Sequence, residues 1–171
     1  KIAEITSGFE GPLAVVAAKG SQLAHPTNND FRILVPVSGS GVSRRGAEVA
    51  IALARTSSAP LHVVYVSTTR DKGARRRSPR MVRPQEEDIL KDVTSFAARY
   101  DVQVTTAIHD NAAPEEAILQ EVRENGATLV VMGVDRIPGE TLNFGSVAAG
   151  GLAGAKVSTL LVSNGATHAN D

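Results

Sequence analysis

The stretch from Leu129 to Val147 holds the residues of this chain best suited to bind an anion. An apolar, β-branched run ends at Gly133, a polar loop containing Gly139 follows, and Gly145 and Ser146 open a sequence that favours a helix. A strand that leads through a glycine loop into a helix presents backbone N–H groups and the positive end of the helix dipole to a ligand. Because glycine also allows the backbone to approach a ligand closely, the pattern predicts a phosphate cradle.

The elements that must position this cradle alternate between strand and helix. We predict strands over residues 31–37, 61–67, 102–108, 128–133 and 157–163. Helical spacing follows Gly41, and further helices are predicted to begin at Pro84, Pro114 and Ser146, the last running to residue 155. This alternation indicates right-handed βαβ units, and so a Rossmann-like α/β sandwich of three layers with a five-stranded parallel sheet.

Two small-residue loops lie at strand ends in this arrangement, Ser38–Gly41 after the first strand and Gly133–Gly145 after the fourth. In open α/β sheets, ligands bind beyond the carboxyl ends of the strands, at the point where the strand order reverses. If the first and fourth predicted strands are neighbours, the two loops face each other across that crevice.

We assign residues 31–163 to the α/β domain, residues 1–30 to an N-terminal extension or linker, and residues 164–171 to a polar tail. Within the extension, residues 12–18 are apolar and favour a short strand. Since the chain begins at Lys1 and not at methionine, we expect a processed product or a piece of a longer protein.

The composition narrows the classes of function. The chain is 42% hydrophobic and 21% charged, which fits one globular domain with a full core. Its 18 basic residues balance 18 acidic residues, so no net charge directs it toward nucleic acid. There is no cysteine, and the 4 histidines lack metal-ligand spacing, so neither a disulfide nor a metal site is predicted.

Common motifs of nucleotide-processing enzymes are absent or incomplete. The segment Gly41–Gly46 has the glycine spacing of a P-loop, but Ala47 and Glu48 replace the lysine and the hydroxyl that bind phosphate and magnesium. Ser40 and Ser43 are better explained as helix-capping residues than as nucleophiles. We therefore expect no catalytic residues, and ATP hydrolysis is the least supported of the functions considered.

Residues 133–147 resemble the signature of the universal stress protein family: glycine, two residues, glycine, nine residues, then glycine and Ser/Thr. Gly133 matches the first glycine, and Gly145–Val147 matches the closing element. Arg136 stands where the second glycine belongs, and eight residues separate it from Gly145. Gly139 supplies backbone freedom that Arg136 lacks, while Arg136 adds positive charge toward a phosphate.

The resemblance covers about residues 31–163 and implies a non-enzymatic regulatory domain that binds a nucleotide of the ATP or AMP type, with magnesium as an optional companion. In nucleotide-binding members of the family an aspartate contacts adenine; Ser38 occupies that position here, and Val66 matches a position that lines the adenine pocket. The nucleotide-binding residues predicted in this way are Pro36, Val37, Ser38, Gly39, Val66, Met132, Gly133, Arg136, Gly139, Gly145, Ser146 and Val147.

A narrower likeness concerns three stretches, GFEGPLAVVAAKG, VPVSGSGVSRRGAEVA and MGVDRIPGETLNFGSVAAG. They look like the C-terminal cytosolic stress-protein domain of bacterial cation/proton antiporters. This likeness implies a module at the cytosolic face of the inner membrane that biases the transporter domain of the same parent chain. The Arg70–Arg83 loop is strongly basic but contains no aromatic residue, so a solvated loop, a contact with anionic lipid or a contact with ligand phosphates is expected before nucleic acid.

Two further expectations concern partners and isolated side chains. Pairing through the exposed edge of the last strand, 157–163, is expected to give a homodimer, since an apolar edge needs covering. The alternative function is a ligand-free dimerisation and interaction module, in which Ser38 and Arg136 mark the loss of nucleotide binding. We predict that His109 forms a surface pair with Asp110, and that His62 is packed or capped by its neighbours.

Overall fold

The computed structural model describes residues 11–25, 27, 30–66, 83–109, 113–135 and 156–164. Within these ranges the strands are β1 (Leu13–Ala17), β2 (Ile33–Val37), β3 (Leu61–Val66), β4 (Val104–His109), β5 (Leu129–Gly133) and β6 (Ser158–Ser163). The helices are α1 (Gly20–Ala24), α2 (Gly41–Ser57), α3 (Arg83–Ala98) and α4 (Pro114–Glu124). The helix predicted over 146–155 lies outside the described residues.

The sheet has the strand order β1-β6-β5-β2-β3-β4. From β2 the chain moves outward through β3 to β4, and it then returns to β5 on the other side of β2. All described pairs among β2 to β6 are parallel. The strand order therefore reverses between β2 and β5, which confirms that the first and fourth predicted strands are neighbours.

The five predicted strands form the parallel part of the sheet, which has six strands in all. The additional strand is β1, which comes from the N-terminal extension and pairs antiparallel with β6, from Leu13 opposite Ser163 to Ala17 opposite Thr159. An apolar segment at this position supplies partners for the backbone groups along the outer edge of β6. The edge of residues 157–163, which was expected to be free, is thus covered by β1 of the same chain. The homodimer expected through this edge stays a prediction.

Helices cover both faces of the sheet. Along β2, Ile33, Val35 and Val37 belong to the core cluster that α2 and α3 complete, while Leu34 belongs to the cluster that α4 completes. All four are at most 2% exposed. Burial on both faces explains why the sequence of this strand is continuously apolar and does not alternate.

The helix ends follow from local hydrogen bonding. The hydroxyl of Ser40 caps α2 by accepting from the N–H of Ser43. Helix α4 begins with Pro114, carries two glutamates in its first turn, and ends at the cap residue Asn125. Gly126 follows with φ of +59°, a conformation that glycine adopts at little cost. The start predicted at Pro114 is thereby confirmed.

The start of α2 packs directly against the end of β5. A Cβ atom added to Gly46 would lie 2.5 Å from the backbone nitrogen of Gly133. A Cβ atom added to Gly133 would overlap the carbonyl oxygen of Val42. In both cases the nearest atoms belong to the backbone, so a change of rotamer could not make room for a side chain at either position. Both glycines therefore allow a close contact between helix and strand.

We expect Gly133→Ala to lower the free energy of unfolding by roughly 3 kcal/mol, since the helix or the strand must shift to admit the methyl group. Chemical denaturation followed by circular dichroism measures this change. Gly41→Ala is the matched control, because a Cβ atom at Gly41 meets nothing within 4 Å. Its effect should stay within about 0.5 kcal/mol. Equal stability of the two variants would contradict the packing role of Gly133.

Candidate functional site

The candidate site lies at the carboxyl ends of β2 and β5. These strands pair only through Ile33 with Leu129 and Leu34 with Val130. On its other side β2 pairs with β3 as far as Val37. The pairing with β5 stops before Pro36, a residue that has no N–H to donate to a ladder. The two strands are therefore joined through their first halves, and the described backbone shows no pairing between their carboxyl ends.

Hydrogen bonds among three serines fix the loop that follows β2. The hydroxyl of Ser43 donates to the carbonyl of Ser40 at 2.9 Å and accepts from the backbone N–H of Ser38 at 3.3 Å. The hydroxyls of Ser38 and Ser40 lie 3.2 Å apart. Ser38 is half-buried and Ser40 is exposed, so both hydroxyls lie at the edge of the sheet and not in the core. The predicted capping role of Ser40 is confirmed.

Gly39 allows this loop to turn beneath α3. Its φ is +80°, in the left-handed region that side chains other than glycine rarely adopt. A Cβ atom there would also lie 2.5 Å from Cδ1 of Ile89 on α3. The flexible end of the Ile89 side chain can move aside, so the structure explains the glycine at this position chiefly by its backbone conformation.

The predicted apolar site residues lie near the same edge but contribute to two different core clusters. Val37 packs with the α2–α3 layer, whereas Val66 and Met132 pack with the α4 layer. They are 2%, 5% and 7% exposed, respectively, and Pro36 is half-buried. Their observed role is therefore packing on opposite faces of the sheet, and the described atoms do not bring all four into one pocket wall.

The remaining predicted site residues lie outside the described residues. They are Arg136, Gly139, Gly145, Ser146 and Val147, on the phosphate side of the predicted cradle. Residues 70–82 of the Arg70–Arg83 loop also lie outside. Of the cradle, the structure places only its first glycine, Gly133, and shows it packed against Val42.

A polar cluster lies under α4 around the buried carboxylate of Glu121, and we call it the Glu121 cluster. The carboxylate of Glu121 contacts Nε2 of His62 at 2.7 Å through one oxygen and Nε2 of His109 at 2.5 Å through the other. The side-chain amide of Asn125 donates to it at 2.6 Å, and Thr105 lies 2.8 Å from Nδ1 of His62. A carboxylate shared in this way joins β3, β4 and α4.

The pair predicted between His109 and Asp110 stays a prediction, since Asp110 lies outside the described residues. The structure shows a half-buried His109 in contact with Glu121. The expectation that His62 is capped by its neighbours is confirmed. The partners of both histidines are distant in sequence, since His62 and Glu121 are 59 residues apart. Strand alternation places His62, Val64 and Val66 on the face covered by α4. Only this tertiary packing brings the three charged groups together, and no local pattern signals it.

The chemistry of the cluster determines which atoms carry protons. An ionised carboxylate only accepts, so each histidine must donate through Nε2. The hydroxyl of Thr105 lies within hydrogen-bond distance of the other ring nitrogen of His62. Burial raises the pKa of Glu121, but hydrogen bonds from His109 and His62 and the positive charge of these rings outweigh it, leaving the pKa below its ordinary value.

We expect Glu121→Gln to lower the free energy of unfolding by about 1–3 kcal/mol at neutral pH, because one histidine loses its acceptor. A lowered folded-state pKa stabilises the fold above the unfolded-state pKa, and this contribution is lost as the pH falls through the folded value. The difference between wild type and variant should therefore shrink in acid. Denaturation curves between pH 3 and 8 measure it.

Glu124→Gln is the matched control on the same helix. Glu124 is exposed and accepts a hydrogen bond from the side-chain amide of Gln120 at 2.8 Å. Its replacement should change stability by less than about 0.5 kcal/mol at every pH. A pH-independent difference for Glu121→Gln, or an equal effect of Glu124→Gln, would contradict the account of the cluster.

Within the described ranges, no group of three or more His, Cys, Asp or Glu side chains is arranged to hold a metal ion. The same residues include no helix that is both long and apolar enough to cross a membrane.

The model of the universal stress protein family matches residues 31–163. The chain belongs to the universal stress protein family. A universal stress protein of Methanocaldococcus jannaschii is 27% identical over 124 residues, which cover 68% of this chain and 72% of that protein.

Solved structures of the family share the fold. A universal stress protein of Burkholderia pseudomallei has 24% identity and a TM-score of 0.59, covering 80% of this chain and 98% of that one. An Arabidopsis thaliana member with AMP bound has 17% identity and a TM-score of 0.57, covering 80% and 93%. A member from Archaeoglobus fulgidus in complex with dAMP has 18% identity and a TM-score of 0.55, covering 79% and 99%. At these identities the likeness confirms the Rossmann-like α/β fold.

Proposed function

We propose that this universal stress protein domain binds an adenine nucleotide reversibly, without turning it over, and serves as a regulatory domain. The observation that carries the proposal is the reversal of strand order between β2 and β5, where the Ser38 loop and Gly133 end at one edge of the sheet. This is the edge at which folds of this kind bind nucleotides. Family members with the same fold hold AMP and dAMP, and another is in complex with cAMP.

The two sides of the site have different roles in this proposal. The start of α2 is already capped by Ser40, and the N–H of Arg44 bonds to the carbonyl of Ser40 at 3.0 Å. Its first N–H groups are thus partly used, so the loop after β2 suits the base better than the phosphate. The phosphate is assigned to the segment after Gly133, where Arg136, Gly139 and the residues Gly145, Ser146 and Val147 supply N–H groups and charge.

The proposed absence of turnover is based on the residue types in the loop after β2 and at the start of α2. Ser38 and Ser40 carry no charge, and Ala47 and Glu48 stand where a P-loop has its lysine and hydroxyl. An uncharged loop lacks the carboxylate that would position magnesium and water for hydrolysis. If magnesium binds together with the nucleotide, we therefore expect its ligands to be the phosphate oxygens of the nucleotide and not side chains of this loop.

The proposal extends to the parent protein. The three stretches that resemble antiporter-linked stress-protein domains support a cytosolic module, at the face of the inner membrane, that biases a cation/proton antiporter domain. The Arg70–Arg83 loop would then contact anionic lipid headgroups, each charge contributing on the order of 1 kcal/mol.

The lipid contact predicts binding to vesicles that contain anionic lipid, and little binding to vesicles of phosphatidylcholine alone. Co-sedimentation measures both. Replacing Arg75, Arg76 and Arg77 by alanine should weaken the binding and make it less sensitive to added salt, because fewer charges then contact the lipid. The control replaces Arg44 and Arg45, which lie on α2 outside the loop. If the loop variant and the α2 control bind anionic vesicles equally well, the loop has no role in the lipid contact.

Adenine nucleotides should raise the thermal midpoint of the domain. A ligand at a hundred times its dissociation constant adds about 2.7 kcal/mol to the free energy of unfolding. Ser38→Asp restores the carboxylate that nucleotide-binding members carry at this position, and we expect it to tighten AMP binding about tenfold, the effect of one charged hydrogen bond. Isothermal titration with AMP, ATP and cAMP measures the affinities.

Ser40→Asp is the control for added charge. Aspartate caps a helix as well as serine does, so α2 should keep its start, and AMP affinity should not rise. If no nucleotide binds the wild type or Ser38→Asp, the domain is the ligand-free interaction module. The packing of Gly133 against Val42 is compatible with that second function, because it explains this glycine without a ligand.

A further inference from the structure

A cavity lies between α2 and α3, apart from the candidate nucleotide site. Its volume is about 260 Å³, and its apolar walls are Ile51 and Ala52 of α2 and Phe96 of α3. A neighbouring cavity of about 270 Å³ shares Ile51 and Phe96 and adds Val93. No described residue of the predicted nucleotide site lines either one. The two cavities therefore offer apolar surface to a ligand other than the nucleotide.

A wider, more polar cleft adjoins the first cavity. Its volume is about 690 Å³, and it lies at the amino ends of β3 and β4. Arg55 and Tyr100 line both the cavity and the cleft, so the two meet at this pair. The exposed side chains of Ser58 and Gln103 also line the cleft. An apolar cavity beside a polar cleft suits a ligand that has an apolar tail and a polar head.

Arg55 supplies a positive charge at this junction. Its guanidinium lies over the ring of Tyr100, 5.6 Å from the ring centroid, and Phe96 meets the same ring edge to face at 5.2 Å between centroids. Within the part of the chain that the structure describes, Arg55 has no carboxylate at ion-pair distance. A guanidinium that stacks on a ring face keeps N–H groups that donate to a carboxylate. Stacking therefore positions this charge without neutralising it.

The acidic side chains near the junction limit the charge of the ligand. Glu48 lines the cavity, but its carboxylate is paired with Arg45 at 2.9 Å. Asp101 lines the cleft and repels further negative charge there. A head group with a single negative charge is therefore favoured over a phosphate, which carries up to about two charges.

We propose that Arg55 binds the carboxylate of a small monocarboxylic acid of the fatty-acid class, whose apolar tail fills the cavity between α2 and α3. The unpaired guanidinium accounts for the carboxylate, the walls formed by Ile51 and Phe96 for the tail, and Asp101 for the single charge. This site does not depend on nucleotide binding, because its residues are not those of the proposed nucleotide site.

Titration of the full chain with four small probes, in the absence of nucleotide, tests the proposal. The probes are acetate, hexanoate, octanoate and octylammonium, and amide proton–nitrogen NMR spectra follow each titration. We expect octanoate to shift amide signals within residues 51–56 and 96–105. It should bind about tenfold more tightly than hexanoate, because further methylene groups leave water. Acetate lacks the tail and octylammonium has the opposite charge, so neither should cause these shifts at the octanoate concentration that does.

Three substitutions separate the charge from the cavity. Arg55→Gln removes the cation and should weaken octanoate binding about tenfold, the effect of losing one charged hydrogen bond. Arg123→Gln is the matched control and should leave the affinity unchanged, because Arg123 is also exposed in the last turn of its helix, but on the other face of the sheet. Ala52→Leu keeps Arg55 and fills the cavity at an exposed helical position, so it should also weaken binding about tenfold.

Circular dichroism shows whether each variant keeps the fold. Weaker octanoate binding by Arg55→Gln and Ala52→Leu, with Arg123→Gln unchanged, supports the proposal. Octanoate that shifts no amide in these ranges overturns it, and so does octylammonium that binds as tightly as octanoate. Equal octanoate affinities of Arg55→Gln and Arg123→Gln overturn it as well.

Discussion

The contact between the first turns of α2 and the end of β5 is the constraint on which the rest of the fold depends. Gly46 and Gly133 bring two backbones together where the sheet reverses its strand order. The helix that covers β2 is thereby anchored on β5, so the two strands stay neighbours although their own ladder is only two pairs long. The loop after β2 and the chain after β5 consequently leave the sheet at one edge.

This constraint also explains why a glycine can look like a ligand residue and still serve packing. Family signatures and phosphate cradles both place glycine at the end of a strand, and a sequence does not distinguish the two causes. For Gly133 the structure shows the packing cause, because the carbonyl oxygen of Val42 occupies the space that a side chain would need. The same reasoning applies to Gly46, whose position in an incomplete P-loop motif suggested phosphate chemistry, whereas its neighbour is the backbone of β5.

The sequence predicted the elements that depend on local pattern. The apolar run of β2, the stripe of α2 at Ala47, Ala50, Ile51 and Ala54, and the proline that opens α4 each reflect forces within a few residues. The Glu121 cluster and the pairing of β1 with β6 could not be predicted in that way. Each joins groups that only the finished fold brings together, His62 with Glu121 and Lys19 with Ser158. Of the candidate site, the loop after β2 was predictable, while the split of Val37 and Val66 between two faces depends on tertiary packing.

The polar cluster and the candidate site share structural elements. His109 is the register partner of Val66, and α4 contributes both Glu121 and the side chains of Ala117 and Ile118 that pack in the same core cluster as Val66. A buried carboxylate that loses its donors is costly, so α4 is held on the sheet by a specific set of hydrogen bonds as well as by apolar contact. Polar contacts thus hold the last residue of β4, His109, which is also the register partner of Val66 at the end of β3. At the opposite edge of the sheet, β1 has no comparable group of side-chain hydrogen bonds. It is held by its backbone hydrogen bonds to β6 and by the contact of Lys19 with Ser158. Within the described fold, we expect this edge to open most easily.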